Sequence, residues 1–581
     1  MFEKLNITKL SEKYLELLMC YPKNIGLAAD YDHLASHARH MARVRLNMDY
    51  QKSIPEDIFC TYVLPCVVND EPFEACSEYF FKELCERVTG LSLYEAAVTV
   101  NFWCMENVAY RYNDDSTAGP LAVFERGYGR CGEESVFAVM ALRSVGIPAR
   151  QCYAKRWSHC DDNHAWVEVF TEDGWHFLGA CEAEPVLDRG WFVNASSKAM
   201  LITAREVDHF KPDEEILSHD HGWYTINCTP RYASVKRFNI KITENGMPAI
   251  ATDVRLELIN FNTFMPILHT VTDNMGCVSL DIGLGGVMVF AKKGEYFNMR
   301  FVDTSRMSHV EIDVADGELN DELYIEQKAP CGILKSDGFL YTEEQKSRIE
   351  AAKAVYSAKM EDEPVCDWQA PEPEFLFGNC NISIIGDVKD EDLGVERLNT
   401  HGFELVNVCI DNRRIRIPKG TYRICAKTRH IDGDISCFLR IISLSEGENT
   451  ELVINKPKER YEGKLFTCDL PSEILAEDCI LIMYDEENEP FLHVRQELFD
   501  TKSKLQSLNI GTCFIKKEGL PEFNEVLSLM RQKLMIGDER LPLTALVLKG
   551  KLRFAYANYN VGIIDTLIRI AEYLLGGKDE H

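Results

Sequence analysis

The sequence predicts a multidomain α+β protein, in which a mixed helical and strand core precedes two β-sandwich modules and a C-terminal α/β domain. The 581 residues, 46% of them hydrophobic, are too many for one core, so three to five domains are expected. Helical spacing of apolar residues dominates up to about residue 126, whereas short strands broken by glycine turns follow from about residue 222. Strands and helices alternate over the last 120 or so residues.

These changes of pattern predict five segments. The two β modules are inferred from stretches such as "GCVSLDIGLGGVMVFAKKGEYFNMRF", in which short β-rich runs are separated by turn residues. The stretch "EDEPVCDWQAPEPE" is acidic and rich in proline, which is typical of a linker. The predicted segments are a helical N-terminal part with a mixed α+β core (1–221), a β-sandwich module (222–325), a helical and acidic linker (326–373), a second β-sandwich module (374–457) and the C-terminal α/β domain (458–581).

Composition excludes several classes of partner. Lys and Arg number 63 against 92 Asp and Glu, and the net charge of −29 repels phosphate backbones and anionic lipid headgroups. We therefore expect neither nucleic acid nor membrane as a partner. The first residues lack a signal-peptide pattern, and the 21 cysteines contain no C-x-x-C pair, so a reducing cytoplasmic location is predicted.

One cysteine stands in a position that suits a nucleophile. In "GYGRCGEESVFAVMALRSVGIPAR", Cys131 lies where a buried helix should begin, because glycines permit a tight entry and Gly146 and Pro148 end the helical run. The positive end of a helix lowers the pKa of a thiol, and the thiolate is the attacking form. The alternative interpretation is an ordinary core cysteine at a helix start.

A histidine that could serve as the base follows 33 residues later. His164 begins the strand "HAWVEVF", and imidazole can both take up the thiol proton and protonate a leaving amine. Together, "GRCGEES", "HAWVEVF" and "GWHFLGACE" resemble the transglutaminase-like superfamily over roughly residues 100–190. This superfamily includes transglutaminases, peptide N-glycanases and cysteine hydrolases. The resemblance implies a papain-like α+β core with Cys131 as nucleophile and His164 as base.

The third catalytic position departs from the family pattern. The Asp that normally orients the histidine falls on Gly179 in this sequence. If Asp173-Gly174 forms a two-residue hairpin turn, Gly179 pairs with Glu168 and Glu182 points away from the histidine. Strands often break near active sites, and Glu182 is the nearest acid beyond the glycine, so we predict that Glu182 orients His164.

Two further roles near the site are considered. Trp103 is the candidate second donor to the oxyanion, besides the backbone N–H of Cys131, although a core tryptophan is an equally good interpretation. The loop "HCDDNH" offers several metal ligands, but ligands so close in sequence rarely give tetrahedral geometry. We therefore predict no metal and no other cofactor.

The C-terminal domain resembles the thioredoxin fold in its order of elements. A βαβ unit is followed by a hairpin and a helix, with Leu541-Pro542 where that family carries a cis-proline. The first helix begins "ENEPFLH" and has no cysteine pair, so redox activity is not expected.

The predicted function is hydrolysis of a peptide or protein amide, of peptide or glutamine type, through a thioester on Cys131. Three alternatives stay open: acyl transfer to amines as in transglutaminases, a peptide N-glycanase-like amidase, and a catalytically inactive binding protein. The last would suit a glycine at the acid position.

Overall fold

The structure is a computed structural model. The acidic linker stretch 361–373 and Cys468 lie outside the residues that it describes. The described residues are 2–20, 29–111, 117–317, 322–328, 341–360, 374–430, 434–458, 477–485, 487, 489–534 and 541–576.

The N-terminal part is helical, as predicted, and leads directly into a buried helix. Among the described residues no helix is long and apolar enough to cross a membrane. The elements are α1 (Phe2–Met19), α2 (Tyr31–Asn47), α3 (Glu56–Tyr62), α4 (Ser77–Val88), α5 (Leu93–Asn107), β1 (Ala109–Tyr110), α6 (Pro120–Arg126), β2 (Tyr128–Gly129) and α7 (Cys131–Ser144).

Helix α7 is the centre of this part. Every residue from 133 to 144 is buried, which explains the nearly continuous apolar sequence. The helix ends because Gly146 has a φ of +87°, a backbone conformation that suits glycine. Gln51 Nε2 donates to the carbonyl of Gly146 at 2.6 Å, so the end of α7 is also tied to the N-terminal helices.

A six-stranded sheet follows α7 in the order β5-β4-β3-β6-β8-β7. Pairing of Thr171 with Gly174 shows that Glu172 and Asp173 form the turn between β4 and β5. The predicted Asp173-Gly174 turn is therefore wrong by one residue, and Glu168 pairs with Phe177 instead of Gly179. The elements are β3 (Ala149–Ala154), β4 (His164–Thr171), β5 (Gly174–Leu178), α8 (Val193–Ser196), β6 (Thr203–Val207), β7 (Ile216–Asp220) and β8 (Trp223–Asn227).

The next segment forms two four-stranded sheets around one apolar core. One sheet contains β10, β9 and β13, with β16 parallel to β9, and the other has the order β12-β11-β14-β15. The strands are β9 (Val235–Glu244), β10 (Met247–Pro248), β11 (Asp253–Asn260), β12 (Thr263–Val271), β13 (Cys277–Gly283), β14 (Gly286–Lys293), β15 (Tyr296–Asp303) and β16 (His309–Asp313).

A second β-rich segment has sheets of order β17-β26-β25-β20-β21 and β23-β24-β19-β27. The proposed boundary at residue 325 cuts through β17, which pairs with β26 and so belongs to this second segment. The elements are β17 (Glu322–Gln327), α9 (Glu343–Met360), β18 (Phe375–Leu376), β19 (Cys380–Ile385), β20 (Leu393–Leu398), β21 (Phe403–Leu405), β22 (Asn407–Val408), β23 (Ile410–Asp411), β24 (Arg414–Ile417), β25 (Gly420–Arg429), β26 (Ile435–Leu444) and β27 (Asn449–Val453).

The C-terminal unit has the predicted order of strands and helices. Its sheet order is β29-β28-β30-β31, with β29 parallel and β30 antiparallel to β28. The Leu541-Pro542 bond is cis. Assignment to the thioredoxin fold stays a prediction. The elements are β28 (Cys479–Tyr484), α10 (Glu489–Asp500), α11 (Lys502–Ser507), β29 (Gly511–Lys516), α12 (Phe523–Leu534), β30 (Leu543–Leu548), β31 (Lys551–Ala557) and α13 (Ile563–Leu575).

Two apolar cores lie on opposite faces of the six-stranded sheet. Alternate residues of β4 divide between them, because successive side chains of a strand point to opposite faces. Val167 and Val169 pack with α7 in the front core, whereas Trp166 packs in the back core. The back core also contains apolar residues of α10 and α13, so the C-terminal unit docks directly on the sheet that carries His164.

Candidate active site

Cys131 is the first residue of α7 and is half-buried. The helix start is held by the buried carboxylate of Glu133. This carboxylate accepts hydrogen bonds from the backbone N–H of Arg130 at 3.1 Å and of Ala118 at 3.0 Å, and it pairs with Arg126 at 2.6 Å. The first of the two acids after the cysteine is therefore structural, and it positions the backbone that carries the thiol.

The first turn of α7 is also bonded to the sheet. Gln151 on β3 donates to the carbonyl of Gly132 at 3.0 Å and to Ser135 Oγ at 2.7 Å. A short loop joins α7 to β3, so the two elements run antiparallel. Cys131 consequently lies toward the end of the sheet at which β3 ends and β4 begins, at the start of a helix that packs in the front core, whereas the ring of His164 at that same end packs against rings of the back core.

His164 is 2% exposed and surrounded by aromatic rings. Its ring centroid lies 4.5 Å from Trp191, 5.0 Å from Phe192 and 5.7 Å from Trp166, so the imidazole faces the back core. Burial, with a smaller contribution from His493, holds the pKa of His164 well below its usual value. Within the described residues, the buried Nε2 atom has no hydrogen-bond partner. The imidazole is therefore neutral in the resting protein, as a general base requires.

The chain turns back on itself directly after β5. Glu182 N–H donates to the carbonyl of Gly179 at 3.3 Å, and Cys181 adopts a φ of +61° within this turn. Asn101 on α5 holds the turn, since its Nδ2 donates to the Gly179 carbonyl at 2.8 Å and its Oδ1 accepts from Cys181 N–H at 3.1 Å. The turn brings Glu182 back to the residue where the family pattern has its acid.

The carboxylate of Glu182 occupies the space that a side chain at position 179 would fill. A Cβ built on Gly179 would lie 2.6 Å from Glu182 Oε2 and 3.0 Å from Glu182 Cβ. The other carboxylate oxygen, Oε1, accepts a hydrogen bond from Trp191 Nε1 at 2.7 Å, and Trp191 is the ring nearest to His164. Continued register would place Gly179 opposite Trp166, on the same face of the sheet as His164.

A second buried acid, Glu134, lies one helical turn after Cys131. It is 1% exposed and its Oε1 has no hydrogen-bond partner in the described part of the chain. Burial, followed by the charges of Glu182 and Glu133, raises the pKa of Glu134 well above its usual range. The protonated form of Glu134 is therefore favoured relative to that of an exposed glutamate. Sequence reasoning missed this residue and Trp191, because their proximity to Glu182 depends on the turn after β5.

Trp103, the candidate second oxyanion donor, packs among aromatic rings. Its ring stacks on Phe124 at 5.6 Å and also contacts Phe80 at 5.7 Å and Phe137 at 5.5 Å. The side chain is 2% exposed and lies in the front core. This enclosure by apolar rings favours the alternative of a core tryptophan, and the oxyanion role stays a prediction.

The loop "HCDDNH" connects the core to the second β-rich segment. Asp161 pairs with Lys427 at 2.5 Å and with Arg429 at 2.9 Å, and these cations hold the pKa of the Asp161 carboxyl below its usual range against the effect of burial. Asn260 Nδ2 donates to the carbonyls of Trp157 and Cys160 at 2.8 Å. These contacts give the loop before His164 a structural role.

Comparison with known families supports this site. Residues 82–180 match the family model described as the transglutaminase-like superfamily. This region is transglutaminase-like. The match includes Cys131 and His164 and ends at residue 180, two residues before Glu182. It supports a cysteine-dependent enzyme in general. No curated protein matches the chain.

Similar solved structures share little sequence with this chain. A candidate cysteine protease from Cytophaga hutchinsonii is 15% identical over 26% of this chain and 57% of its own, with a TM-score of 0.17. The transglutaminase of red sea bream is 8% identical over 66% of this chain and 71% of its own, with a TM-score of 0.18. The shaft pilin SpaA of Lactobacillus rhamnosus GG is 6% identical over 39% and 100%, with a TM-score of 0.13. At these scores, the transglutaminase-like assignment depends on the family match.

Proposed function

We propose that the chain is a cysteine-dependent amide hydrolase, with Cys131 as nucleophile, His164 as base and Glu182 as the acid that orients the histidine. One observation carries the proposal: the Glu182 carboxylate lies in the space of the missing acid side chain, with Oε2 2.6 Å from where a Cβ of residue 179 would be. An inactive relative that had lost its acid would have no need for another carboxylate at that point.

The proposed reaction proceeds through a thioester. His164 takes the proton of the Cys131 thiol while Sγ attacks the amide carbonyl carbon and the carbonyl oxygen becomes an oxyanion. The backbone N–H of Cys131 at the start of α7 is one donor to that oxyanion. The C–N bond then breaks, and the leaving amine takes the proton from His164. Water attacks the thioester, His164 accepts a water proton and returns it to Sγ, and the carboxylic acid leaves.

Packing of the tryptophans near the core supports water as the acyl acceptor. A transglutaminase needs aromatic walls that exclude water and admit an amine. Trp157 and Trp166 are fully buried, and Trp103 lies in the front core. Trp175 stacks under the guanidinium of Arg150 at 3.8 Å. These four side chains are committed to packing within the protein.

A peptide library can test the function and the acceptor together. The full-length chain is incubated with mixed peptides and a labelled primary amine at millimolar concentration, and mass spectrometry reads cleavage, deamidation and amine incorporation. We expect hydrolysis, with amine incorporation at less than about a tenth of its rate, because a thioester open to solvent meets water far more often. Cys131→Ala and His164→Ala should abolish turnover. Amine incorporation faster than hydrolysis would identify a transglutaminase.

The matched control is another half-buried cysteine. Cys85 has an exposure class similar to that of Cys131 but lies in α4. Cys85→Ala should leave turnover unchanged, and iodoacetamide below pH 8 should alkylate Cys131 faster than Cys85, because a thiol at a helix start attacks more readily. Equal alkylation rates for the two thiols, with no turnover of any peptide, would instead indicate a binding protein.

A further inference from the structure

His493 of the C-terminal unit lies among aromatic rings of the transglutaminase-like segment and its neighbours. It is on α10 and is 8% exposed. Its ring centroid is 4.2 Å from Tyr110, 5.0 Å from Trp191 and 4.9 Å from Tyr559, on which it stacks at an interplanar angle of 9°. Two of these three partners belong to the N-terminal part of the chain.

Those two partners, Tyr110 and Trp191, adjoin different parts of the candidate active site. Tyr110 pairs with Gly129, which precedes Cys131 by two residues. Trp191 donates to Glu182 Oε1 at 2.7 Å and lies 4.5 Å from the ring of His164. The imidazole of His493 therefore contacts both the strand pair that leads to the nucleophile and the tryptophan that holds the acid and packs on the base.

The C-terminal unit holds α10 firmly in this place. The carboxylate of half-buried Glu497, one turn after His493, accepts from Gly562 N–H at 2.6 Å, Ile564 N–H at 2.9 Å and Tyr559 Oη at 2.7 Å. These bonds tie α10 to the start of α13 and to the ring on which His493 stacks. Apolar residues of both helices share the back core with Trp166 and Trp191.

We propose that the C-terminal unit completes the active site, and that His493 is a positioning residue that fixes Trp191 and, through it, Glu182 and His164. This inference rests on the proposed hydrolase function. It also gives the C-terminal unit a role that requires no cysteine chemistry. A small displacement of Trp191 would move both the acid and the base, and misplacement by about 1 Å can cost about a hundredfold in rate.

Variants of His493 in the full-length chain test this role. We expect His493→Ala to lower kcat about tenfold while KM stays within about threefold, because orientation of the base is lost and substrate binding is not. His493→Phe should restore kcat to within about threefold of wild type, since a ring of similar size can pack against the same neighbours. Arg495→Ala is the matched control, because Arg495 is exposed on the same helix. A kcat for His493→Ala equal to that of wild type would overturn the proposal.

A second readout does not depend on turnover. Hydrogen exchange measured by mass spectrometry should become faster in residues 179–193 of His493→Ala and should be unchanged there in Arg495→Ala and His493→Phe. Unchanged exchange of this segment in His493→Ala would also refute the positioning role. If the wild-type chain shows no turnover at all, the proposed hydrolase function fails, and the exchange experiment alone decides whether His493 orders this segment.

A different cluster carries a second inference, which is independent of the hydrolase proposal. Asp253 on β11, His269 on β12 and His401 in the turn before β21 place one carboxylate oxygen and two ring nitrogens within 4.8 Å of one another. Asp253 Oδ1 lies 2.9 Å from His269 Nε2. The turn that carries His401 is held by Asn399 Oδ1, which accepts from the N–H groups of His401 and Gly402 at 3.0 Å.

We infer that these three side chains form a divalent metal site, of the Zn²⁺ or Co²⁺ type, between the two β-rich segments. Two imidazoles and one carboxylate suit such ions, and tetrahedral ligands about 2.0–2.1 Å from the metal lie about 3.3 Å apart. The Asp253–His269 pair, at 2.9 Å, is about 0.4 Å closer than that spacing, so metal binding would replace the hydrogen bond between the two groups. Arg255 donates to the Phe403 carbonyl at 3.1 Å and fixes the neighbouring turn, while Glu404, 3.8 Å away, offsets its positive charge.

Titration of the metal-free full-length chain with Co²⁺ tests this site. We expect visible absorption bands of cobalt bound to nitrogen and oxygen ligands, saturating at one equivalent, and affinity at least about tenfold lower in His401→Ala and Asp253→Asn. His309→Ala is the control, because His309 is exposed on β16 of the same segment. Unchanged affinity in His401→Ala, thiolate-to-cobalt bands, or no binding at all would each refute the site.

Discussion

Moving the catalytic carboxylate from residue 182 to residue 179 is the most direct test of the proposed mechanism. Glu182→Gln keeps the shape of the side chain and leaves an oxygen that can accept from Trp191, so it removes mainly the negative charge. A hydrogen bond to a charged group contributes about 1.5–3 kcal/mol, which corresponds to about 10- to 150-fold in rate. We therefore expect Glu182→Gln to lower kcat by at least about tenfold.

The double variant Gly179→Asp, Glu182→Ala should recover most of this loss. An Asp at 179 would carry its oxygens about 2.4 Å from Cβ, and Glu182 Oε2 now lies 2.6 Å from that Cβ position. Gly179 has no positive φ, so its backbone accepts an Asp. Gly179→Asp alone should be less active than the double variant, because two carboxylates would compete for one space and repel each other.

The assay is steady-state hydrolysis of the best substrate from the peptide library, with all four combinations at positions 179 and 182 measured as a double-mutant cycle. Glu172→Gln, in the exposed hairpin turn, is the matched control for loss of an acid on the same sheet. Wild-type activity in Glu182→Gln would refute the orienting role of Glu182. A double variant no better than Glu182→Gln would refute the claim that the two carboxylates share one position.

Three further predictions concern pH, stability and the C-terminal unit. Catalysis needs neutral His164, and burial holds the pKa of this residue well below 6.5. We therefore expect kcat/KM to stay constant as the pH falls from 7.5 to 6.5 and to decline only at lower pH. A decline of kcat/KM that begins at or above pH 6.5 would contradict this prediction. Arg150→Met removes the cation 2.6 Å from the buried carboxylate of Glu206 and one of the two cations of Glu168, which keeps Arg231 at 2.8 Å, and should destabilise the core by about 3–5 kcal/mol in urea unfolding. The surface pair of exposed Arg87 and half-buried Glu106 provides the control, since Arg87→Met should cost less than about 1 kcal/mol. The chain should not reduce insulin disulfides, because Cys479 and Cys513 lie in strands and α10 begins without a cysteine. Measurable reduction of insulin would contradict this prediction and indicate a redox function.

Local patterns were sufficient for several elements near the site. The start of α7 at Cys131 and of β4 at His164 agree with the sequence prediction, because a helix entry and a β-rich run are specified by adjacent residues. The hairpin turn was placed one residue too late. Either Asp173-Gly174 or Glu172-Asp173 makes an acceptable turn, and the choice depends on the packing of both strands against their cores.

The sequence by itself determined the order of three features within one segment. A cysteine at a helix start is followed by a histidine at a strand start, and then by a glycine at the position where the family pattern has an acid. Only the tertiary structure decided what replaces that acid, because the position of Glu182 depends on a left-handed residue at Cys181 and on Asn101, 80 residues away in the chain. The same holds for Trp103, because the packing of its ring depends on which aromatic rings α4, α6 and α7 place around it. It also holds for His493, which reaches the site from the far end of the chain. Contacts between distant residues depend on how whole elements pack, and no local spacing in the sequence encodes them.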